Sequence, residues 1–282
     1  MKIKITADST IDLTEELKLK YDIKTIGLTI TLGDKDFIDG DNITTQDIFK
    51  YIKQTNTLPK TGAASTERYK KFFSELMEED TAIIHFAISS EMSACYNFAK
   101  TASKEFDNVY IIDTRYLSTG IALLAILARK MANDGATPEQ IVNVVQDKAK
   151  NGEVQCSFIL DKLNLLHKGG RCSAVQMFGA NLLKLKVCIS VHNGKMGVRC
   201  KYRGKFEKAI TEYIADTLNR YPNYDDECCF ITYTTVNDTV LENAKKAVES
   251  LGAFKNVYVT TAGATIASHC GEDTIGILYM LK

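Results

Sequence analysis

The 282-residue chain has no excess of either charge, because 35 lysines and arginines are matched by 35 aspartates and glutamates. A chain without a net basic field does not gather a polyanion, which excludes non-specific binding to nucleic acid. Long hydrophobic runs are lacking as well. The longest, Ile121 to Ala128, lies between Gly120 and Arg129, far short of the roughly 18 to 20 residues that span a bilayer. It therefore reads as a buried helix. The opening Met1-Lys2-Ile3-Lys4-Ile5-Thr6-Ala7-Asp8 reaches an acid at once and has no apolar stretch of signal-peptide length, so a cytoplasmic protein is expected. The eight cysteines include no CxxC and read as reduced thiols, with Cys228 and Cys229 as small apolar residues of a strand.

Motifs that would mark common chemistries are also missing. There is no G-x-x-x-x-G-K-[ST], no G-x-G-x-x-G after the first strand, no G-x-S-x-G and no H-E-x-x-H. The histidines at 85, 167, 192 and 269 are too scattered for metal-ligand spacing. His85 alternates within an apolar strand and reads as a core histidine. What the chain does have is ordinary globular composition, 45% hydrophobic and 25% charged, and enough length to build two domains without staples.

Lys2 to Thr6 reads as a strand ending in the polar loop Asp8-Ser9-Thr10, with Thr10 to Glu16 opening a helix. Lys24 to Leu32 reads as a single strand, and Thr44 to Gln54 as a helix capped by Thr44 or Thr45. Lys60 to Ser65 reads as a loop before a helix with Tyr69, Phe72, Phe73, Leu76 and Met77 on one face. Apolar strands at Thr81 to Ile88 and Val109 to Ile112 each run into a polar loop and a helix, the second from Ser118 to Met131. This alternation predicts an α/β fold with a mainly parallel sheet flanked by helices, in which ligands bind outside the carboxyl ends of the strands. The loops at 8–10, 61–65 and 89–93 are then the candidate site. Thr137-Pro138 starts a helix that Asn151-Gly152 ends, which sets an N-terminal α/β domain at 1–152. Residues 153–282 read as a C-terminal α/β domain with a mixed sheet, including a hairpin in which Asn193-Gly194 joins Val187 to His192 with Lys195 to Cys200.

Taken singly, the polar candidates are ordinary. Thr61 and Ser93 precede helices, where helix caps are as natural as ligand contacts. Gly169-Gly170-Arg171 is either a surface turn or a place where backbone approaches a ligand and an arginine fork meets a carboxylate or phosphate. His269 stands in the small, polar segment Ala267-Ser268-His269-Cys270-Gly271 between two strands. Together with their neighbours they form a pattern: Thr6-Ala7-Asp8-Ser9-Thr10 with Asp12-Leu13, Phe37-Ile38-Asp39-Gly40, the loop from Thr61, Ile88-Ser89-Ser90-Glu91-Met92-Ser93-Ala94-Cys95-Tyr96, Ile112-Asp113-Thr114 and Leu166-His167-Lys168-Gly169-Gly170-Arg171. In order and spacing, from the first strand to the last, the chain resembles the DegV family.

That resemblance implies a two-domain α/β carrier, not an enzyme, that binds one long-chain fatty acid such as palmitate for lipid transport or fatty-acid metabolism. The carboxylate would lie between the domains, held by Thr61 and Ser93 with Arg171 and His269 as a second group, and with the backbone of Gly62 and Ala94 as further contacts. The acyl chain would fill an apolar tunnel, for which Ile121 to Leu127, Phe158 to Leu166 and Met177 to Leu183 are the expected walls. No metal and no cofactor beyond the fatty acid are expected. The implied partner is a separate ATP-dependent fatty-acid kinase, for which the basic stretch Lys201, Arg203, Lys205 and Lys208 offers a docking face near the carboxylate mouth. Nucleic acid and a membrane span are not expected, while transient contact with a membrane surface is allowed.

The chain departs from the family pattern in three places. Thr61-Gly62-Ala63-Ala64-Ser65 stands where members commonly have Thr-Ser-Gln-Pro-Ser, so the loop loses a stiffening proline. Ala94 replaces a usual glycine, and Gly271-Glu272-Asp273 replaces Gly-Pro-Gly, adding two acids beside a proposed anion site. The alternative weighed against a carrier is a hydrolase or acyltransferase using Ser93 or Thr61 as nucleophile and His269 as base.

Overall fold

Apolar strands alternating with helices build an α/β architecture in the computed structural model, which describes residues 1–172 and 185–282. The strands among the described residues are β1 (Lys2–Asp8), β2 (Ile23–Ile26), β3 (Thr29–Leu32), β4 (Lys35–Ile38), β5 (Lys60–Gly62), β6 (Thr81–Ala87), β7 (Val109–Asp113), β8 (Val154–Leu160), β9 (Lys186–His192), β10 (Lys195–Tyr202), β11 (Tyr224–Tyr233), β12 (Asn256–Thr261) and β13 (Thr274–Leu281). The first sheet is wholly parallel, in the order β2-β1-β6-β7. The second is mixed, in the order β10-β9-β8-β13-β11-β12, with β11 and β12 the parallel pair. A small antiparallel sheet, β4-β3-β5, stands beside them.

The helix Thr119–Asn133 explains how the two main sheets are joined. It is buried at every position from Thr119 to Ile126, a pattern expected of a helix enclosed on all sides rather than of a surface helix. It touches β1 of the first sheet and both β8 and β13 of the second. One continuous apolar cluster therefore runs from Ile5 and Phe86 through Leu124 to Phe158 and Phe230. A second cluster lies on the other face of the mixed sheet, where the helices Phe206–Arg220 and Asp238–Leu251 bring Tyr213 and Val248 against Ile231 and Ile277.

Several local expectations are corrected. The run Lys24 to Leu32 is not one strand but β2 and β3 in different sheets. The break falls at Gly27, where an added Cβ would lie 2.3 Å from Ile38 Cγ2 and 2.6 Å from the Asp39 carbonyl oxygen. The first helix begins at Glu15 rather than Thr10, with Thr14 as its cap, because residues 9–11 form a single tight turn closed by Asp12 at φ 54°. Lys60 to Ser65 is not wholly a loop, since β5 pairs Thr61 with Ile30 of β3. Two short helices, Asn164–Gly169 and Ala264–Cys270, went unread in the sequence. His85 is a core residue, fully buried with Nδ1 at 3.0 Å from Thr6 Oγ1 and Nε2 at 3.3 Å from Asp8.

Candidate functional site

Where the loop after β6 meets β5 and the helix Ala264–Cys270, the fold leaves a cavity of about 220 Å³. Thr61, Gly62, Ser93, Ala94, Arg171 and His269 all line it, so residues more than 200 positions apart in sequence converge on one space. Its remaining wall is largely apolar and includes Leu28, Ile88, Met92, Leu117, Met196 and Ile266. A smaller cavity of about 30 Å³ shares Leu117, Ile266 and Cys270 with the first and continues past Phe158 and Leu278. Beside Leu117, Phe158, Ile266 and Leu278, the smaller cavity is also bordered by Ser118, Thr232, Thr234 and Thr274.

Each polar side chain is placed by its own local device. Thr61 sits on β5, and its Oγ1 lies 2.8 Å from His269 Nε2. Ser93 closes the turn after β6, where its Oγ accepts the Cys95 N–H at 3.3 Å and donates to Cys95 Sγ at 3.1 Å. Gly170 ends the helix Asn164–Gly169 in the left-handed region at φ 70°, which turns Arg171 toward the cavity. Arg171 in turn donates to the Gly169 carbonyl at 2.8 Å. Gly169 has to be small, because a Cβ there would lie 2.7 Å from His269 Nδ1.

His269 is held as a neutral imidazole. Burial, reinforced by the Arg171 charge, lowers its pKa to about 4. Among the described residues its buried Nδ1 has no hydrogen-bond partner, and neither has the buried hydroxyl of Thr265, which also lines the cavity. A hydroxyl–imidazole pair is the beginning of a nucleophile and base, but among the described residues no carboxylate orients Nδ1, and the ring is a weak base near neutrality. Ser93, the other candidate nucleophile, bonds to Cys95.

The start of the helix that carries His269 is pinned by two aspartates. Gly263 N–H donates to Asp12 Oδ1 at 2.8 Å and Ala264 N–H to Asp39 Oδ1 at 2.9 Å. Their other oxygens accept from Ser118 Oγ at 2.6 Å and Ser9 Oγ at 2.9 Å. Burial raises Asp12 to about 8, although the bonds from Ser118 and Gly263 favour its charged form. Both aspartates belong to the sequence pattern described above, yet their partners could not be read without knowing of the helix Ala264–Cys270. Thr265 and Ile266 were missed for the same reason.

Other expectations fall away from the cavity. Of the loops 8–10, 61–65 and 89–93, the first does not line it. Asp8 is instead enclosed, accepting from Tyr69 Oη at 2.5 Å and from the Ile88 N–H at 2.9 Å. The segment Ile121 to Leu127 packs between the sheets and lines neither cavity, whereas Phe158 does line the smaller one. Met177 to Leu183 lies outside the described residues. Lys201, Arg203 and Lys205 are exposed, but they surround the far end of β10, roughly 20 Å along the strand from Met196 at about 3.3 Å per residue. They do not line the cavity.

Two of the three sequence departures also find physical explanations. Ala94 has φ −78°, a conformation open to any residue, so glycine is not required there. Asp273 is paired with Lys162 at 3.0 Å. Glu272 lines a different pocket beside Lys53, Lys162 and Lys168. The added acids therefore do not face the candidate anion site. Among the described residues no helix is long and apolar enough to cross a membrane, and no cluster of His, Cys, Asp and Glu is suited to a metal ion.

A family model described as DegV, an uncharacterised protein family, matches residues 2–282. A protein of Thermotoga maritima named fatty acid-binding protein is 33% identical over 288 residues, covering 98% of this chain and 96% of the relative. Among solved structures, a DegV lipid binding protein from Thermotoga maritima superposes with TM-score 0.87 at 31% identity, covering 100% of this chain and 99% of that one. A DegV family protein from Thermus thermophilus, described by its fatty acid binding, superposes with TM-score 0.91 at 25% identity over 100% of both chains. With the family model matched from end to end and a relative one-third identical over nearly its whole length, this chain belongs to the DegV family.

Proposed function

We propose that the protein binds one long-chain fatty acid such as palmitate between its α/β units, residues 1–152 and 153–282. In this reading Thr61, Ser93, Arg171 and His269 surround the carboxylate, and the acyl chain runs along the apolar wall toward Phe158 and Leu278. The observation that carries the proposal is the make-up of the larger cavity, in which two hydroxyls, an imidazole and a guanidinium converge beside a wall of Leu28, Ile88, Leu117, Met196 and Ile266.

The chemistry favours holding an acid over attacking one. Arg171 supplies a charge-assisted donor to a carboxylate. With its proton on Nε2, the neutral His269 donates to Thr61 Oγ1 and leaves the threonine hydroxyl free to donate into the cavity. Burying about 14 methylenes at about 0.8 kcal/mol each contributes on the order of 11 kcal/mol before ordering costs, enough for a slowly exchanging ligand. A ligand held in this way is carried, and a separate ATP-dependent fatty-acid kinase would act on its head group in lipid transport or fatty-acid metabolism.

Titration of delipidated protein with radiolabelled palmitate tests the reading. Saturable uptake approaching one equivalent is expected, weakened at least tenfold by Thr61→Ala combined with Ser93→Ala. Absence of uptake by the folded wild-type chain would overturn it.

A further inference from the structure

The β9–β10 hairpin carries a pair of thiols outside the ligand cavity. Its register pairs Val198 with Ile189 and then Cys200 with Cys188, so Arg199 is an extra residue forming a bulge. The bulge places Cys200 directly opposite Cys188, and both belong to the cluster beneath the helix Phe206–Arg220. It also turns the Arg199 guanidinium to that side, where it bonds Thr217 Oγ1 at 2.5 Å and lies 5.6 Å from the Tyr213 ring. Directly opposed residues of an antiparallel pair have Cα atoms about 4.5 or about 5.5 Å apart, and both values fall within the range that a disulfide bridges.

The two sulfurs differ in kind. Cys200 is partly exposed, whereas the other seven cysteines are buried. The hydrogen bond from Cys188 lowers the Cys200 pKa to about 5, assisted by Tyr202 and by Arg199. Burial and the same bond keep Cys188 protonated. Burial pushes Cys95, Cys156, Cys228 and Cys270 up to about 12, so they are not competing nucleophiles.

We propose that Cys200 and Cys188 are a peroxide-oxidised dithiol, with Cys200 the attacking sulfur and Cys188 the resolving one, closing to a disulfide across the hairpin. The Cys200 thiolate attacks one oxygen of a hydroperoxide and the O–O bond breaks. The departing oxygen takes a proton as water or alcohol, leaving a sulfenic acid on Cys200. The Cys188 sulfur then attacks the Cys200 sulfur, the S–O bond breaks, and hydroxide leaves with the thiol proton as water. Two thiols are oxidised for each peroxide reduced. This chemistry is independent of what the cavity holds.

The test is peptide mapping of the reduced full-length protein after treatment with a few equivalents of hydrogen peroxide and alkylation. Trypsin cuts between the two cysteines, so the expected product is the peptide Val187–Lys195 disulfide-linked to Cys200–Lys201, with a loss of two of the eight thiols that dithiothreitol restores. In Cys188→Ser, Cys200 is expected to stop at the sulfenic acid and be trapped by dimedone. In Cys200→Ser, all seven remaining thiols should survive the same treatment. Retention of all eight thiols in the wild type, or a linkage between other cysteines, would overturn the proposal.

Discussion

Replacing Asp12 with asparagine tests whether the anchor of the helix that carries His269 keeps its proton. The carboxyl is 5% exposed and accepts bonds from Gly263 and Ser118, while its neighbour Asp39 holds the next N–H of the same helix. Burial outweighs the two bonds and raises its pKa from 3.8 to about 8. An acid whose folded value lies above its unfolded value holds an extra proton when folded. Its stabilising contribution is therefore complete below the unfolded value and falls as pH rises toward the folded one. Within that window the slope is about 1.4 kcal/mol per pH unit, or about 3 kcal/mol between pH 5 and pH 7. His269 and Cys200, both lowered, give slopes of the opposite sign, so wild-type stability alone does not isolate Asp12. The difference from Asp12→Asn does, because asparagine keeps an acceptor for Gly263 and has no titrating proton. Urea unfolding of both lipid-free proteins from pH 5 to pH 8 should show the variant gaining on the wild type by about 1.4 kcal/mol per unit. A difference flat in pH would refute the reasoning and mean that the two donors already hold an ionised carboxylate at pH 5.

Arg171→Ala should weaken palmitate binding about tenfold and leave hexadecanol binding nearly unchanged, because a charge-assisted bond needs the acid; equal losses for both ligands in parallel titrations would count against a carboxylate at Arg171. Gly169→Ala should drive His269 away from Thr61, since the new Cβ would start 2.7 Å from Nδ1, and a crystal structure with the 2.8 Å Thr61–His269 bond intact would contradict this. Thr265→Val removes a buried hydroxyl that has no partner among the described residues and should stabilise the lipid-free protein by about 1 kcal/mol, a gain that thermal unfolding would detect and whose absence would refute it. Ser93→Ala should cost about 1 kcal/mol of lipid-free stability through the lost acceptor for Cys95 N–H, with Thr61→Ala costing less; a larger thermal loss in the double variant would mark these hydroxyls as structural rather than as ligand contacts.

Hydrophobic period and turn chemistry carried much of the fold. The almost wholly apolar β6 and the helix Thr119–Asn133 announced elements covered on every side, and Asn193-Gly194 announced the hairpin. Close approach of backbones does not appear in a one-dimensional pattern, so Gly27 hid the break between β2 and β3. The helix Ala264–Cys270 was obscured because its N-terminal donors are satisfied by Asp12 and Asp39, acids more than 220 residues away, rather than by a neighbouring cap. Thr61, Ser93 and Arg171 were legible only as separate fragments of a family-like pattern and His269 only as a histidine in a small polar segment, while their convergence on one cavity is a property of the folded chain. Sequence gives the charge of Lys201, Arg203 and Lys205 but not their distance along β10 from Met196, so it does not place them relative to the cavity.

Mass spectrometry of the organic extract from denatured, freshly purified protein, with fatty acid quantified per chain, tests the central claim most directly. The account predicts close to one equivalent of a narrow set of long-chain acids. An empty extract from folded protein that also takes up no added palmitate would contradict it.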